Sequence, residues 1–472
     1  MSEEQVPDKL YAAREPVFPK RVKGTFRSLK WWLMGLLLGA YYLLPWVRWD
    51  RGPNLPDQAI LVDLAERRFF FFWIEIWPHE FYFIAGLLIM AGLGLFLFTS
   101  ALGRVWCGYA CPQTVWTDLF ILTERWVEGD RNARMRLLKA KWDARKIRLR
   151  VTKWLVWLAI SVATGGAWVF YFTDAPTLLM NLLKGQAHPI AYLTILTLTA
   201  TTFFFGGIAR EQICIYACPW PRIQAAMMDE DTITIAYREW RGEPRGRGKK
   251  RENLGDCIDC NACVNVCPMG IDIRDGQQLE CITCGLCIDA CDEMMDRVGK
   301  PRGLIGYIAL KDEPLEREGQ QHLPVAKHIF RPRTLMYTAL WAGVGVALVV
   351  ALFVRPDIDL TVRPVRNPTF VTLADGSIRN TYDVGIRNKN GDNRPFYFSL
   401  GDDTTLQIAL EGVDGVSVVA PADTEYKQRL YVVAPKGSTE AMSDRTEIRI
   451  WITDGVTGER SYKDAVFNGR GQ

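Results

Sequence analysis

The sequence predicts a multi-domain chain in three parts. These are a polytopic α-helical membrane bundle of five spans, a cysteine-rich module inserted before the last span, and a C-terminal β-sandwich. Apolar runs of bilayer length alternate with charged segments as far as residue 354, the pattern of a multi-pass membrane protein. The spacing C-x2-C-x2-C-x3-C occurs twice between residues 257 and 291. From residue 355 onward long apolar runs cease, and short alternating strands are punctuated by turn residues. The averages of 49% apolar and 12% aromatic residues hide this unevenness, and the net charge of +4 says less than where the charges lie.

Residues 1–30 form a polar N-terminal segment ending in Lys20, Arg21, Lys23, Arg27 and Lys30. The first span is expected at Trp31–Val47. Leu44-Pro45-Trp46-Val47-Arg48 stands where a secretory leader would show a small-residue cleavage site. The span therefore reads as retained, with the N-terminus in the cytoplasm. In the loop that follows, Arg67-Arg68-Phe69-Phe70-Phe71-Phe72-Trp73 is too short to span. It reads either as a segment lying in the membrane interface or as a loop helix packed on the bundle.

The second span, Phe81–Gly103, leads into Cys107-Gly-Tyr-Ala-Cys111-Pro112. A basic segment from Arg131 to Lys153 marks the cytoplasmic face, and the span on each side of it sets a nucleic-acid partner aside. The third and fourth spans are expected at Trp154–Phe172 and Pro189–Ala209, completing a four-span domain over 31–209. The fourth leads into Cys214-Ile-Tyr-Ala-Cys218-Pro219 on the same face as the first motif. Residues 210–333 read as cytoplasmic, with Arg245–Arg251 as a flexible linker into the cysteine-rich module. The fifth span, 334–354, then carries residues 355–472 to the opposite, periplasmic side of a bacterial inner membrane. Strands are expected at Leu360–Val365, Thr381–Ile386, Phe396–Leu400, Thr405–Leu410, Gln428–Val433 and Thr446–Ile452.

The cysteine module reads Cys257-Ile-Asp-Cys260-Asn-Ala-Cys263-Val-Asn-Val-Cys267, then Cys281-Ile-Thr-Cys284-Gly-Leu-Cys287-Ile-Asp-Ala-Cys291. This is the ligand run of bacterial two-cluster ferredoxins, in which the fourth cysteine of each run serves the other cluster. On that crossed pattern Cys257, Cys260, Cys263 and Cys291 hold one [4Fe-4S] cluster. Cys281, Cys284, Cys287 and Cys267 hold the second. Zinc sites built from C-x2-C pairs would leave half of these thiols unexplained. All twelve cysteines fall in such motifs and none is spare for a structural disulfide, usage that suits a reducing compartment. The four histidines lie outside the apolar runs, which excludes haem with histidine ligands at membrane depth.

The remaining cysteines, Cys107, Cys111, Cys214 and Cys218, form two C-x3-C-P repeats. On a helix, i and i+4 share a face, so each repeat is expected to present two thiols side by side at a helix break before proline. Four readings compete: buried apolar cysteines, a soft-metal site for copper, a further cluster bridging the repeats, or a redox dithiol pair. His79 and His188 read as helix caps or headgroup-layer residues before metal guides. Met227-Met228 and Met294-Met295 read as packing before soft ligands. Asp256, Asp259, Asp289, Asp292 and Glu293 fit a solvated face as well as they fit a docking patch for a basic donor. No nucleotide-binding or hydrolase motif is present.

Spans ending in Cys107-x3-Cys111-Pro112 and Cys214-x3-Cys218-Pro219, a two-cluster ferredoxin, a further span and an outer β domain resemble the FixG/CcoG family of accessory proteins for cbb3-type cytochrome oxidase assembly. One departure is Cys291-Asp292 where many ferredoxins have Cys-Pro; the ligand set is intact. The resemblance implies an immunoglobulin-like fold for the outer domain. It also implies an oxidoreductase, a cupric reductase delivering Cu(I) to the oxidase's copper centre. Its expected partners are a cytosolic electron donor, copper chaperones or a copper transporter, the oxidase itself and the lipid bilayer. A homo-oligomer is compatible with the sequence. Two other classes remain beside it: an electron-transfer subunit resembling NapH-type quinol dehydrogenases, and a non-enzymatic assembly scaffold.

Overall fold

Burying one face of each element sorts the chain into two compact units. A computed structural model describes residues 16–248, 253–320, 323–355, 358–401 and 404–471. The chain up to Arg48 joins Gln58–Leu348 in the first unit, and Trp49–Asp57 joins the chain from Val349 in the second. All twelve cysteines fall in the first.

The first unit opens with helix α1 (Thr25–Leu43), which a 3-10 turn at Leu44–Trp46 ends where Pro45 stands. A three-stranded antiparallel sheet follows: β1 (Ile60–Asp63), β2 (Arg68–Phe71) and β3 (Ile74–Ile76), ordered β1-β2-β3. This corrects the helical reading of Arg67–Trp73. Aromatic residues favour a pleated, half-buried surface, and β2 alternates buried and half-buried positions. Phe72 turns the hairpin at positive φ.

Next come α2 (Tyr82–Leu102), α3 (Val105–Tyr109), α4 (Pro112–Glu128), α5 (Arg131–Lys139), α6 (Ala144–Val169) and α7 (Ala175–Leu183). The last occupies what the sequence left as a short loop, and Asp174 caps it. Helix α8 (Pro189–Thr202) is capped by His188, whose ring accepts the Ile190 N–H, and continues as a π-helical stretch over Phe203–Ala209. After a second π-helical turn, Ile213–Ala217, comes α9 (Trp220–Met227).

Among the described residues, three helical segments are long and apolar enough to cross a membrane: Pro78–Leu102, Pro189–Ala209 and Pro332–Val354. The sequence reading expected five. Helix α1 falls short because Arg27 and Lys30 occupy its first turns, both buried against Asp118. Helix α6 begins with Arg145, Lys146, Arg148, Arg150 and Lys153, and Ser161, Thr164, Gly165 and Gly166 dilute its apolar half. Part of the basic segment is therefore structural. Arg134 and Lys153 are buried against Glu124 and Glu128 of α4.

The cysteine module is bracketed by an antiparallel pair, β4 (Ile233–Tyr237) and β5 (Ile305–Ala309). Between them lie the short α10 (Glu239–Gly242), α11 (Ala262–Val266) and α12 (Leu286–Val298). Of the expected linker, residues 249–251 lie outside the described residues. The preceding part folds back: Gly246 N–H donates to the Cys257 carbonyl (3.2 Å) and Arg247 Nε to the Asp259 carbonyl (2.9 Å). Two short helices, α13 (Glu313–Arg317) and α14 (Val325–Ile329), lead to α15 (Pro332–Val354).

The second unit is a β-sandwich. One sheet runs β10 (Gln407–Leu410), β12 (Thr424–Ala434), β8 (Ile378–Asn388), β6 (Ile358–Pro364), with β7 (Val371–Thr372) also on β8. The other runs β11 (Ser417–Ala420), β9 (Arg394–Leu400), β13 (Arg445–Asp454), β14 (Arg460–Asn468). All six expected strands are present, within a few residues at their ends. Tyr382, Val384 and Ile386 of β8 meet Phe396, Phe398, Ile450 and Ile452 in the core, the two-residue period of strands with one buried face. Strand β14 escaped the sequence reading because Ser461, Lys463 and Asp464 interrupt its apolar pattern.

Candidate functional site

Each C-x2-C stretch closes into a tight turn because a residue between its cysteines takes the left-handed region: Asp259, Asn261, Thr283 and Gly285. Asp, Asn and Gly do so readily. Thr283 does not, since a β-branched residue at positive φ carries strain of order 1–3 kcal/mol, a feature that gathers at functional sites. It is buried, and its carbonyl accepts a 2.8 Å hydrogen bond from Tyr307.

Two apolar cavities result. One is lined by Cys267, Cys281, Cys284 and Cys287 among Ile235, Met269 and Leu286. The other is lined by Cys257, Cys260, Cys263 and Cys291 with Tyr237, Arg274 and Met295. These groups are the ones the crossed pattern names, and α12 supplies a thiol to each from Cys287 and Cys291. Cys263 borders both cavities, so they share a wall. Burial pushes Cys263 and Cys281 up to about 11 and Cys267 and Cys291 up to about 12, with Cys287 also raised. Thiols so desolvated favour a cationic partner that takes the place of their protons. The donor set therefore fits iron–sulfur clusters. Among the described residues, no three His, Cys, Asp or Glu side chains converge closely enough to hold a single metal ion.

The C-x3-C-P repeats depart from the side-by-side expectation. Cys107 lies within α3, but Cys111 caps α4 with extended backbone (ψ 127°). Cys214 lies in the π-helical turn, and Cys218 follows it with ψ 123°. Proline after each second cysteine excludes the helical region there, which separates the two thiols of a pair onto different elements. The four thiols are nonetheless neighbours: Cys111 and Cys218 act electrostatically on Cys107, and Cys111, Cys107 and Cys218 on Cys214. Burial pushes Cys214 up to about 12 and raises Cys107 against the pull of Arg104.

The first repeat is seated on the ferredoxin. Tyr109 donates to the Cys284 carbonyl (2.9 Å), and a Cβ at Gly108 would come 2.5 Å from the Ile282 carbonyl oxygen. Glycine alone permits that approach. Cys107 donates 3.1 Å to Gln224 Oε1, and Gln224 donates in turn to Thr99. Buried Arg104 reaches the Leu279 carbonyl, and its charge opposes the burial-driven rise of the Cys107, Cys214 and Cys281 thiols alike. Neither Arg104 nor Gln224 was singled out from the sequence. A lone arginine at a helix break before Cys107 was the available signal; Gln224 offered none.

Four of the five acids singled out around the module are held by the fold, and the fifth, Glu293, pairs with Arg297 on an exposed face. Asp256 pairs with Arg241 and Lys300, Asp259 with Arg274, and Asp292 accepts the Gly303 N–H. Asp289 is buried and accepts the first-turn N–H groups of Phe26 (3.2 Å) and Arg27 (2.7 Å), so it caps α1 from within the second cysteine run.

Comparison with known proteins agrees with this geometry. Residues 209–309 match the family described as "4Fe-4S dicluster domain", residues 83–132 "4Fe-4S binding domain", and residues 348–470 "IG-like fold at C-terminal of FixG". Protein RdxB of Cereibacter sphaeroides is 70% identical over 466 residues, covering 98% of each chain. Protein RdxA of the same organism is 63% identical over 445 residues, 94% of this chain and 95% of its own. Nitrogen fixation protein FixG of Rhizobium meliloti is 52% identical over 493 residues, 97% of this chain and 94% of its own. A crystal structure of a FixG-related protein from Vibrio parahaemolyticus aligns over 25% of this chain and 99% of its own, with 14% identity and a TM-score of 0.21.

Proposed function

Because the chain belongs to the FixG family of iron–sulfur proteins, we propose that it is a membrane-bound electron-transfer protein that reduces Cu(II) to Cu(I) for the copper centre of a cbb3-type oxidase. In this reading Cys257, Cys260, Cys263 and Cys291 hold one [4Fe-4S] cluster, and Cys267, Cys281, Cys284 and Cys287 the other. The clusters, when bound, supply one-electron carriers. The shared wall at Cys263 keeps the two sites adjacent, and the apolar linings exclude water. Each Cu(II) takes one electron and becomes Cu(I), the ion better suited to sulfur ligands, at Cys107, Cys111, Cys214 and Cys218. A cytosolic protein donor supplies the electron. Exposed apolar side chains on α1 (Trp32, Leu36) and α6 (Leu155, Leu158) support counting both as spans, which gives five. The ferredoxin is then cytoplasmic and the β-sandwich periplasmic, in a bacterial inner membrane.

The carrying observation is the seam between repeat and ferredoxin, where Tyr109 binds the Cys284 carbonyl and Gly108 abuts Ile282. The test uses the full chain in detergent, reduced by dithionite without oxygen, freed of excess reductant and mixed with Cu(II) and a Cu(I)-specific chelator. Cluster absorption is expected to return as Cu(I) chelate forms. C107S and C214S are expected to retain the ferredoxin iron and lose that transfer; transfer unchanged in the double variant would remove the four thiols from the path.

A second reading has its own support. The match over 83–132 contains only Cys107 and Cys111 as cysteines, which favours iron at the repeats. About twelve irons per chain in place of about eight would assign a further cluster there.

A further inference from the structure

Arg27 and Arg125 face one cleft with more positive charge than the fold neutralises. The cleft, about 1150 Å³, is lined by Arg21, Arg27, Trp31, Thr123, Arg125 and Trp126, from the approach to α1, α1 itself and the end of α4. Arg27 is only 5% exposed and gives Nη1 to Asp118, yet its buried Nη2 has no partner. Arg125 gives Nη2 to the Pro19 and Lys20 carbonyls (3.1 and 3.3 Å), but its Nε is buried without a hydrogen bond, its nearest carboxylate, Asp130, being 3.9 Å away. Burial and then the Arg27 charge push Arg125 downward from its usual range, the mark of two guanidinium groups crowding each other. Lys30 also leans on Asp118 at 3.5 Å. Among the described residues, Arg27 and Lys30 pair with Asp118, Arg125 lies nearest Asp130, and Asp289 accepts the Arg27 backbone N–H, so with Arg21 four cations stand against three carboxylates. Buried unpartnered donors are costly, and guanidinium forks match phosphate oxygens.

The aromatic surroundings indicate the source of that phosphate. Arg27 stacks over Trp31 at 4.0 Å. Trp126 in the cleft and Trp32 on the neighbouring turn of α1 are each 81% exposed. Exposed tryptophans beside a basic cluster, at the end of a helix with an exposed apolar flank, characterise headgroup depth. We propose that this cleft binds the phosphate of an anionic phospholipid, with Arg21 and Arg125 as its ligands and the buried Arg27 charge behind them. The inference rests on α1 being membrane-embedded, as read above. It goes beyond the electron path because α1 is the helix that Asp289 of the ferredoxin caps through the Phe26 and Arg27 backbone. A lipid there would steady the seat of the ferredoxin on the bundle.

The test is native mass spectrometry of the full chain, stripped of lipid in a non-ionic detergent and titrated in turn with phosphatidylglycerol, phosphatidylcholine and inorganic phosphate. Phosphatidylglycerol is expected to bind at least about tenfold more tightly than phosphatidylcholine, with R125Q and R21Q each lowering that preference while iron content and cluster EPR stay unchanged. R21Q, at an exposed position, guards against R125Q failing to fold. Equal binding of both lipids, or a preference untouched in both variants, would overturn the site. Inorganic phosphate displacing the lipid at equal concentration would overturn the lipid assignment and leave a free-phosphate site. Cu(II) turnover that fails in the wild type while the lipid preference persists would count against the electron-path reading alone.

Discussion

The two C-x3-C-P repeats share a pattern and occupy different surroundings. In Cys107-Gly-Tyr-Ala-Cys111 the middle is pressed onto the ferredoxin: Gly108 has no room for a methyl group, and Tyr109, 6% exposed, binds the Cys284 carbonyl. In Cys214-Ile-Tyr-Ala-Cys218 the matching Tyr216 is 49% exposed, and the motif winds into a π-helical turn, a form found often at functional sites. The first repeat is bonded to the cluster module through its middle. The second also touches that module, by side-chain packing of Cys214 and Ile215 against the cluster of Ile282, Cys284 and Leu286. A duplicated motif therefore need not mean duplicated roles; what each copy packs against assigns them.

The repeats are tied together by α4 and the π-helical stretch, through Glu124 and Arg210. Arg210, Arg134 and Lys153 all converge on Glu124. E124Q should have the largest effect, about 3–5 kcal/mol lost in denaturant unfolding, because it strands buried cations. Burial works to raise the Glu124 pKa, but Arg210 and Arg134 outweigh it and hold the carboxyl low. Its contribution is therefore present above the ordinary value of about 4.3 and lost as pH falls through the depressed one. E124Q should flatten that part of the acid-stability curve. A loss near zero would show that each repeat is anchored independently.

Next in size is G108A, expected to cost about 1–3 kcal/mol by overpacking against Ile282. It should also slow electron delivery to Cu(II) in stopped-flow, while I215A, which trims a side-chain contact and leaves the backbone approach intact, slows it less. Equal effects from both would erase the asymmetry. Smallest is Y109F, expected to lose about 0.5–1.5 kcal/mol with the buried hydrogen bond. Y216F, at a half-exposed side chain, should cost less than Y109F. Thermal unfolding of the pair sharpens the contrast.

Much of the candidate site was legible because cluster ligands obey short-range spacing. The x2-x2-x3 runs named both thiol groups before any fold was considered, and the strand–turn rhythm announced the β-sandwich. The aromatic run Arg67–Trp73 misled because a four-residue strand and a helical turn look alike without their neighbours. Asp289 misled because an acid in a charged stretch reads as solvated, and its role as a cap depends on residues 26 and 27. Arg104 and Gln224 could be recognised only once the chain had folded around Cys107.

The sequence alone therefore determined the electron-carrying chemistry, the number of thiols and the apolar segments, since these depend on residue identity and local spacing. Tertiary structure decided how each repeat meets the ferredoxin, which charges are buried in pairs and where unpartnered guanidinium atoms gather. Those outcomes depend on burial and on distances between residues far apart in the chain, and no local pattern encodes either.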